Sequence, residues 1–434
     1  MIVVCEPQCK SISHLKVNSG FIYGLHLAYP KEKIVFFADT SHFNEVKNLL
    51  GDNGINTKKL KHIPIQFNSN KSFSLEGILR YYLLFKKIFN KALLLQVNKI
   101  FYLSTGPIIL HTIKKLKQQK KYKNICCTFV LHGDLEDIAN ISYKKPYIPR
   151  ISVNPKPLRL KGVVVKVFKN INKLPSFLLS KLLHPFSQLY LKYSLFFKKI
   201  FRMKKMMMWN HSCQYKYISL SPHVTKNAKK YLDTKYLNFH TIILPIVFNK
   251  PTSSSKNKYI KFAVFGYGDS SQIHKMLLIL SKKKISKPYE IRIISMDSRG
   301  TEGFQNIHRL SQGRVLTRKE MENSAKDVDI FINLYDKSRH RLGCSLSIFE
   351  AFSYLKPILH LSNPGYDHFN KSSKPIGYKT ETLNEFVDKM YDMIENYDLY
   401  RKKLSVFRKN MLDYRKEYNI KNNLINLKNS FSFN

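Results

Sequence analysis

The chain has 434 residues, 44% of them hydrophobic, and sets 74 Lys+Arg against 29 Asp+Glu for a formal net charge of +45. That length has room for two cores, and that charge seeks nucleic acid, anionic lipid or a polyanionic substrate. No zinc finger, helix-turn-helix or RNP-like strand accompanies it, which sets nucleic acid aside and favours lipid, while six scattered cysteines without a CxxC pair argue against a zinc site and for a reduced, intracellular chain.

The first half alternates strand and helix. Apolar runs at residues 2–5, 34–38, 63–67, 100–103 and 125–131 are short and continuous, the pattern of strands buried on both faces. Helical spacing fills the intervals at 20–28, 43–50, 81–95 and 108–118, with a polar loop at 8–19. The first strand begins at the initiating Met with no basic region before it, so no secretory signal is expected. Residues 141–210 break the rhythm. Pro146, Pro149, Pro155 and Pro157 come first, and 176–209 follows, dense in Leu, Phe and Tyr. Lys181, Pro185 and Lys192 interrupt that stretch, so no run reaches the length of a transmembrane helix. Its apolar content and the cluster Lys198, Lys199, Arg202, Lys204 and Lys205 predict an interfacial helix on an anionic membrane surface.

A strand at 217–220, a helix opened by Ser221-Pro222 and a strand at 242–247 follow. Residues 250–258, KPTSSSKNK, read as a linker. A second alternating unit starts at Tyr259, with strands at 262–265, 290–295, 329–334 and 358–361. Gly266 and Gly268 lie between its first strand and the helix from 272, where glycines let backbone N–H groups approach a phosphate. The third glycine of the dinucleotide fingerprint is missing, so NAD is not implied. Helices at 382–395 and 399–418 close the chain.

The most informative stretch is 329–360, DIFINLYDKSRHRLGCSLSIFEAFSYLKPILH. It reads as strand, basic loop, helix, strand. Gly343, Cys344 and Ser345 open the helix, and Lys356-Pro357 stops it. Free N–H groups at a helix start, with Arg341 beside them and His340 and Lys337 nearby, form a place to hold an anion.

This stretch resembles the donor-binding end of the GT-B glycosyltransferases, nucleotide-sugar enzymes with two facing Rossmann-like domains. The matching residues are Ser345, Glu350-Ala351 and Tyr354-Leu355-Lys356-Pro357-Ile358. Many retaining members carry two glutamates eight positions apart. Glu350 fits the second, but the first falls on Leu342, and Arg341-Leu342 looks like the Arg-Leu pair of another subset. Retaining and inverting outcomes therefore stay open.

The resemblance implies an α/β fold of two Rossmann-like domains around a central cleft. Residues 1–250 would form the acceptor side, with the insertion at 141–210, and 259–400 the donor side. Residues 401–434 would return to the first domain. Donor contacts are expected from Gly266, Gly268, Arg341, Gly343, Cys344, Ser345 and Glu350, with Glu350 accepting hydroxyls of the donor. Catalytic candidates lie at strand ends of the first unit, where open α/β sheets place their sites. They are His132 and Asp134, with Glu136 as another possible base, and Glu6 and His14 flanking the first loop. The family often has a histidine facing the sugar at a position like 132. The metal-chelating Asp-x-Asp signature of the other large glycosyltransferase fold is read as missing, so metal-independent chemistry is expected, with no cofactor beyond the nucleotide-sugar substrate.

The expected activity moves a sugar from a nucleotide-diphosphate donor to a glycan or lipid-linked acceptor in surface polysaccharide synthesis. The expected place is cytoplasmic, peripheral on the inner face of the cell membrane. A sugar-nucleotide epimerase on the same fold, or a non-catalytic membrane- or polyanion-binding protein, are the rival readings.

Overall fold

A computed structural model gives the fold and describes residues 1–66, 75–133, 135–139, 201–248, 257–265, 270–294, 300–311, 314 and 316–432. Two parallel sheets organise it. The first has seven strands in the order β3-β2-β1-β4-β5-β6-β7: β1 (Ile2–Cys5), β2 (Ile34–Ala38), β3 (Leu60–Pro64), β4 (Lys99–Tyr102), β5 (Cys126–Leu131), β6 (Tyr215–Ser219) and β7 (Phe239–Thr241). The second has six in the order β10-β9-β8-β11-β12-β13: β8 (Ile260–Phe265), β9 (Tyr289–Ile294), β10 (Ile307–Arg309), β11 (Ile330–Asn333), β12 (Ile358–Leu361) and β13 (Gly377–Thr380). These are the two Rossmann-like domains that the alternating pattern implies. Their strand orders reverse between β1 and β4 and between β8 and β11. Crevices at such reversals, at the carboxyl ends of the strands, are where this architecture binds ligands.

The central strands are apolar throughout because helices cover both faces: β1 and β2 are buried at every position. One apolar cluster runs through both domains, joining Phe21, Phe36 and Phe101 to Phe349, Phe352 and Tyr414. Two satellite clusters fill the outer layers, one in each domain. The chain crosses back near its end. Helix Tyr397–Glu417 packs on the second domain, where the Phe352 and Tyr414 rings lie 5.6 Å apart. Helix Leu424–Phe431 then lies on the first, with Phe431 set edge-on to Phe101 at 4.9 Å.

Several boundaries move. The first helix is Leu15–Ala28, not 20–28, because Lys16, Asn18 and Ser19 are polar in type yet buried, Lys16 against the cleft and Asn18 on Glu6 and His42. The third strand lies three residues earlier than 63–67, as a half-exposed strand with lysine and histidine that no apolar run betrays. Residues 242–247 are not the strand expected; β7 precedes them, and they run on extended past its end. Gly20 permits this, since a Cβ there would sit 2.1 Å from the Pro245 carbonyl oxygen. Strands β10 and β13 and helix Arg318–Lys326 were not anticipated.

Most of the 141–210 insertion, and with it most of the interfacial helix expected at 176–209, lies outside the described residues, as does most of the linker. The insertion's described tail corrects that expectation locally. In helix Met203–Met208, Met203, Met206 and Met207 are buried. Trp209 stacks on His111 at 4.9 Å, and the Lys114 ammonium donates to the Met207 and Trp209 carbonyls at 2.7 and 2.6 Å. This end is core, because the methionines repeat on one face and helix Pro107–Lys117 receives them. Among the described residues no helix is long and apolar enough to cross a membrane.

Candidate active site

The carboxyl end of β1 sets one wall of the cleft. Glu6 follows it and is buried. Its Oε1 accepts from the Gln8 and Cys9 amides at 2.9 and 3.2 Å, and its Oε2 from Asn18 Nδ2 at 3.1 Å and Ser104 Oγ at 2.6 Å. A carboxylate has about four acceptor positions, and four donors fill them. Glu6 therefore holds the loop of residues 7–14 in shape rather than standing free as a base.

That loop delivers His14, a left-handed residue (φ 51°) at the start of helix Leu15–Ala28. Its ring lies 4.6 Å from the ring of His132, which follows β5. His132 Nε2 hydrogen-bonds the Leu103 carbonyl at 2.7 Å, so Nε2 carries the proton and Nδ1 the lone pair. Nδ1 of both histidines is buried without a partner. Burial lowers the pKa of each to about 4, and for His14 the neighbouring His132 adds to the effect while Glu6 opposes it. Both rings are thus neutral at pH 7 and each has a nitrogen able to accept a proton. Asp134 lies outside the described residues.

The other wall is the loop after β11 and helix Leu346–Tyr354. Asn363 Nδ2 fixes the loop by donating to the Asp336 and Arg339 carbonyls at 2.7 and 2.9 Å. Ser345 sits at the N-cap with an extended backbone (φ −73°, ψ 118°) but does not cap through its side chain. Its hydroxyl meets Ser347 Oγ at 2.9 Å and the Tyr366 hydroxyl at 3.1 Å, and Asn333 Nδ2 donates to that same Tyr366 oxygen at 2.6 Å. Cys344 is buried, which pushes its thiol up to about 12 and leaves it a packing residue. Arg341 is exposed, with its Nε donating to the Lys337 carbonyl at 3.3 Å. His340 is held neutral, its pKa lowered to about 4 by burial. Gly266 and Gly268 lie outside the described residues.

Two contacts join the walls. Lys16 Nζ pairs with the Glu350 carboxylate and lies 4.2 Å over the Tyr354 ring. Glu136 Oε1 accepts from the Leu342 amide at 2.7 Å, and the Gly343 amide also stabilises the charge. Burial raises the Glu136 pKa and these amides oppose it. A Cβ at Gly343 would lie 3.1 Å from Glu136 Oε1, so glycine gives the carboxylate room. Leu342, where many relatives of the resemblance carry a glutamate, is fully buried in the first domain's outer cluster. Packing explains its identity. Between the walls lies a recess open to solvent, lined by His14, Lys16, Arg318, Glu350 and Tyr354 among others. Lys16 and Arg318 were not anticipated. Their sequence signal is only a basic residue near a helix start, and their partners Glu350 and Asp52 are distant in sequence.

The chain does contain one Asp-x-Asp triplet, Asp327-Val328-Asp329, which corrects the expectation that none exists. It sits at the opposite end of β11 from the cleft. Asp329 is buried and accepts from Asn257 Nδ2 at 3.0 Å and the Lys261 amide at 2.9 Å, while Asp327 pairs with Lys261 and Arg292 at 2.6 and 2.8 Å. These carboxylates tie strands together. Among the described residues no group of three or more His, Cys, Asp or Glu side chains could hold a metal ion.

No protein-family model matches the chain, and no curated protein sequence does. Solved structures do. A glycosyltransferase from Rickettsia africae ESF-5 is similar with a TM-score of 0.54 at 12% identity, over 100% of this chain and 99% of that one. An apo structure of OtsA is similar with a TM-score of 0.52 at 12% identity, over 98% and 97% of the two chains. The chain has the GT-B fold.

Proposed function

We propose that this chain is a glycosyltransferase, carrying a sugar from a nucleotide-diphosphate donor to a glycan or lipid-linked acceptor in surface polysaccharide synthesis. The observation that carries the reading is the recess itself: His14 and Lys16 from one wall and Glu350 from the other line the same space. The GT-B fold supports it, as does the place of the recess at the carboxyl ends of strands.

In this reading residues 259–400 bind the donor and residues 1–250 the acceptor, and within 401–434 it is helix Leu424–Phe431 that returns to the first domain. Glu350, once released from Lys16, accepts hydroxyls of the donor. The acceptor hydroxyl attacks the anomeric carbon and its proton passes to a neutral imidazole, His14 or His132. The bond to the diphosphate breaks, and the leaving charge meets Arg341 and the backbone N–H groups at the start of helix Leu346–Tyr354. Phosphate neutralisation by these groups asks for no metal and no cofactor. The chain would work at the cytoplasmic face of the cell membrane, where a lipid-linked acceptor resides.

A panel of nucleotide sugars screened by thermal shift, followed by product analysis with and without acceptor, tests the proposal. One donor should raise the melting temperature and yield free nucleotide diphosphate. Conversion of the sugar without nucleotide release would make the chain an epimerase, and no shift with any donor would remove the enzymatic reading.

A further inference from the structure

We propose that the outward face of helix Leu75–Leu94 is a docking surface for anionic lipid. The inference rests on the reading above in one respect, that the acceptor is membrane-borne, and it names the surface by which the chain reaches that acceptor.

The helix has two unlike faces. Tyr81, Phe85, Ile88, Phe89 and Ala92 are buried in the first domain, and Ile78, Tyr82 and Leu84 pack half-buried beside them. On the opposite side Leu79, Leu83, Leu93 and Leu94 are 58, 56, 39 and 77% exposed. At about 100° per residue these four leucines fall within roughly a third of the helix circumference, with Asn90 among them. Four large apolar side chains on one exposed stripe are unusual for a surface that meets only water.

The charges around the stripe name the partner. Lys86 falls within it, and Arg80, Lys87 and Lys91 border it. The helix carries one acid, Glu76 at its second position, and none follows from residue 77 to residue 94. Leucines in the centre with basic stems along one edge are what an interfacial helix presents: the leucines enter the acyl boundary and the ammonium groups stay among phosphates. Nucleic acid would use the lysines and leave the leucines in water. Helix Tyr397–Glu417 serves as an internal contrast: Leu399, Val406 and Leu412 are exposed there too, but acids recur along its whole length as Asp398, Asp413 and Glu417, and an anionic surface would repel them. With Arg80, Lys86, Lys87 and Lys91 interrupting its 20 residues, helix Leu75–Leu94 lies on a bilayer rather than crossing it.

The test uses the full chain and co-sedimentation with phosphatidylcholine vesicles, with and without phosphatidylglycerol. Wild type should bind the phosphatidylglycerol vesicles and hardly the neutral ones. L83Q/L94Q should weaken that binding about tenfold, and K86Q/K87Q/K91Q about fivefold for each lysine removed. A control on the contrasting helix, K402Q/K403Q/K409Q, should change it less than about twofold, because those lysines are away from the stripe. All changed side chains are wholly or partly solvent-facing, so melting temperatures should stay at the wild-type value, and the charge variant retains the test if the leucine variant fails to fold. Donor-induced thermal shifts should be the same in every variant, so loss of vesicle binding with an intact shift separates this surface from the sugar-nucleotide site. Equal loss in the helix and control lysine variants would mean diffuse charge and overturn the proposal. So would unchanged binding in L83Q/L94Q, or a wild-type dimer that L83Q/L94Q converts to monomer.

Discussion

The two contacts that close the cleft hold different things. Lys16 and Glu350 are both side chains, 10 and 20% exposed, and form a largely buried charge pair that salt screens only weakly. Glu136 instead places a carboxylate on the backbone N–H groups of Leu342 and Gly343, at the loop where a leaving diphosphate is expected. On the proposed reading the first contact engages the residue that would bind the donor's hydroxyls, and the second sets an anion of the protein's own where the donor's phosphates would lie. A donor would then have to exchange partners with both contacts.

The largest effect should come from removing the shared residue. Glu350→Ala should lower kcat/KM and donor affinity by ~1.5–3 kcal/mol, the size of a charge-assisted hydrogen bond, and Arg341→Ala should weaken donor binding in the same range. Isothermal titration and steady-state turnover measure both, and unchanged values in the two variants would end the donor assignment.

Next in size is the pH dependence of the histidine wall. His14 and His132 have folded pKa values of about 4, below the ordinary 6.5, so the fold favours their neutral forms. Stability should be full above about pH 6.5 and fall as the pH drops toward 4. His223 and His360 are lowered likewise and share the slope. His132→Gln should flatten part of it in thermal melts across that window, and an unchanged slope would mean the imidazole is already charged or exposed.

Smaller effects separate the two contacts. Glu136→Gln replaces the anion by a weaker, neutral acceptor, so the donor should bind more tightly, by about 1 kcal/mol in titrations. Lys16→Gln should change donor affinity less than Glu350→Ala does, and high salt should alter that change little because the pair is largely buried. If Glu136→Gln weakens donor binding instead, its carboxylate takes part in the reaction and does not merely hold the place. Smallest of all is the effect of EDTA, which should leave turnover unchanged, while Asp329→Asn should lower the melting temperature without making turnover respond to added Mg²⁺ or Mn²⁺.

The sequence discloses this architecture more fully than it discloses the cleft. Parallel strands buried on both faces are continuous apolar runs, so β1, β2, β4, β5, β8, β11 and β12 can be read within a residue or two. β3, with Lys61 and His62, cannot, and neither can short β10, two of whose residues are exposed. The helix after the first loop is read late because its opening residues Lys16, Asn18 and Ser19 are polar in type although they are buried. Glu350 and Arg341 are visible because they sit in one contiguous motif. The Lys16–Glu350 and Glu136–Leu342 contacts and the His14–His132 pairing join residues far apart in the chain, and no local pattern encodes a contact across two sheets. Glu6 misleads for a related reason: a glutamate after a strand looks available until Asn18 and Ser104 are seen to claim it.

The chain passes between the two domains twice, once between Phe248 and Asn257 and again between helices Tyr397–Glu417 and Leu424–Phe431. A body tied at two points turns most easily about the line joining them, and other rotations meet resistance. The second tie is anchored by Phe431 in the first domain's aromatic core, so it cannot slacken without exposing that ring. Lys16 on Glu350 and Glu136 on the loop amides bridge the domains at the cleft, and the apolar cluster that runs through both domains lies behind them, so separating the walls costs buried apolar contact as well as two polar ones.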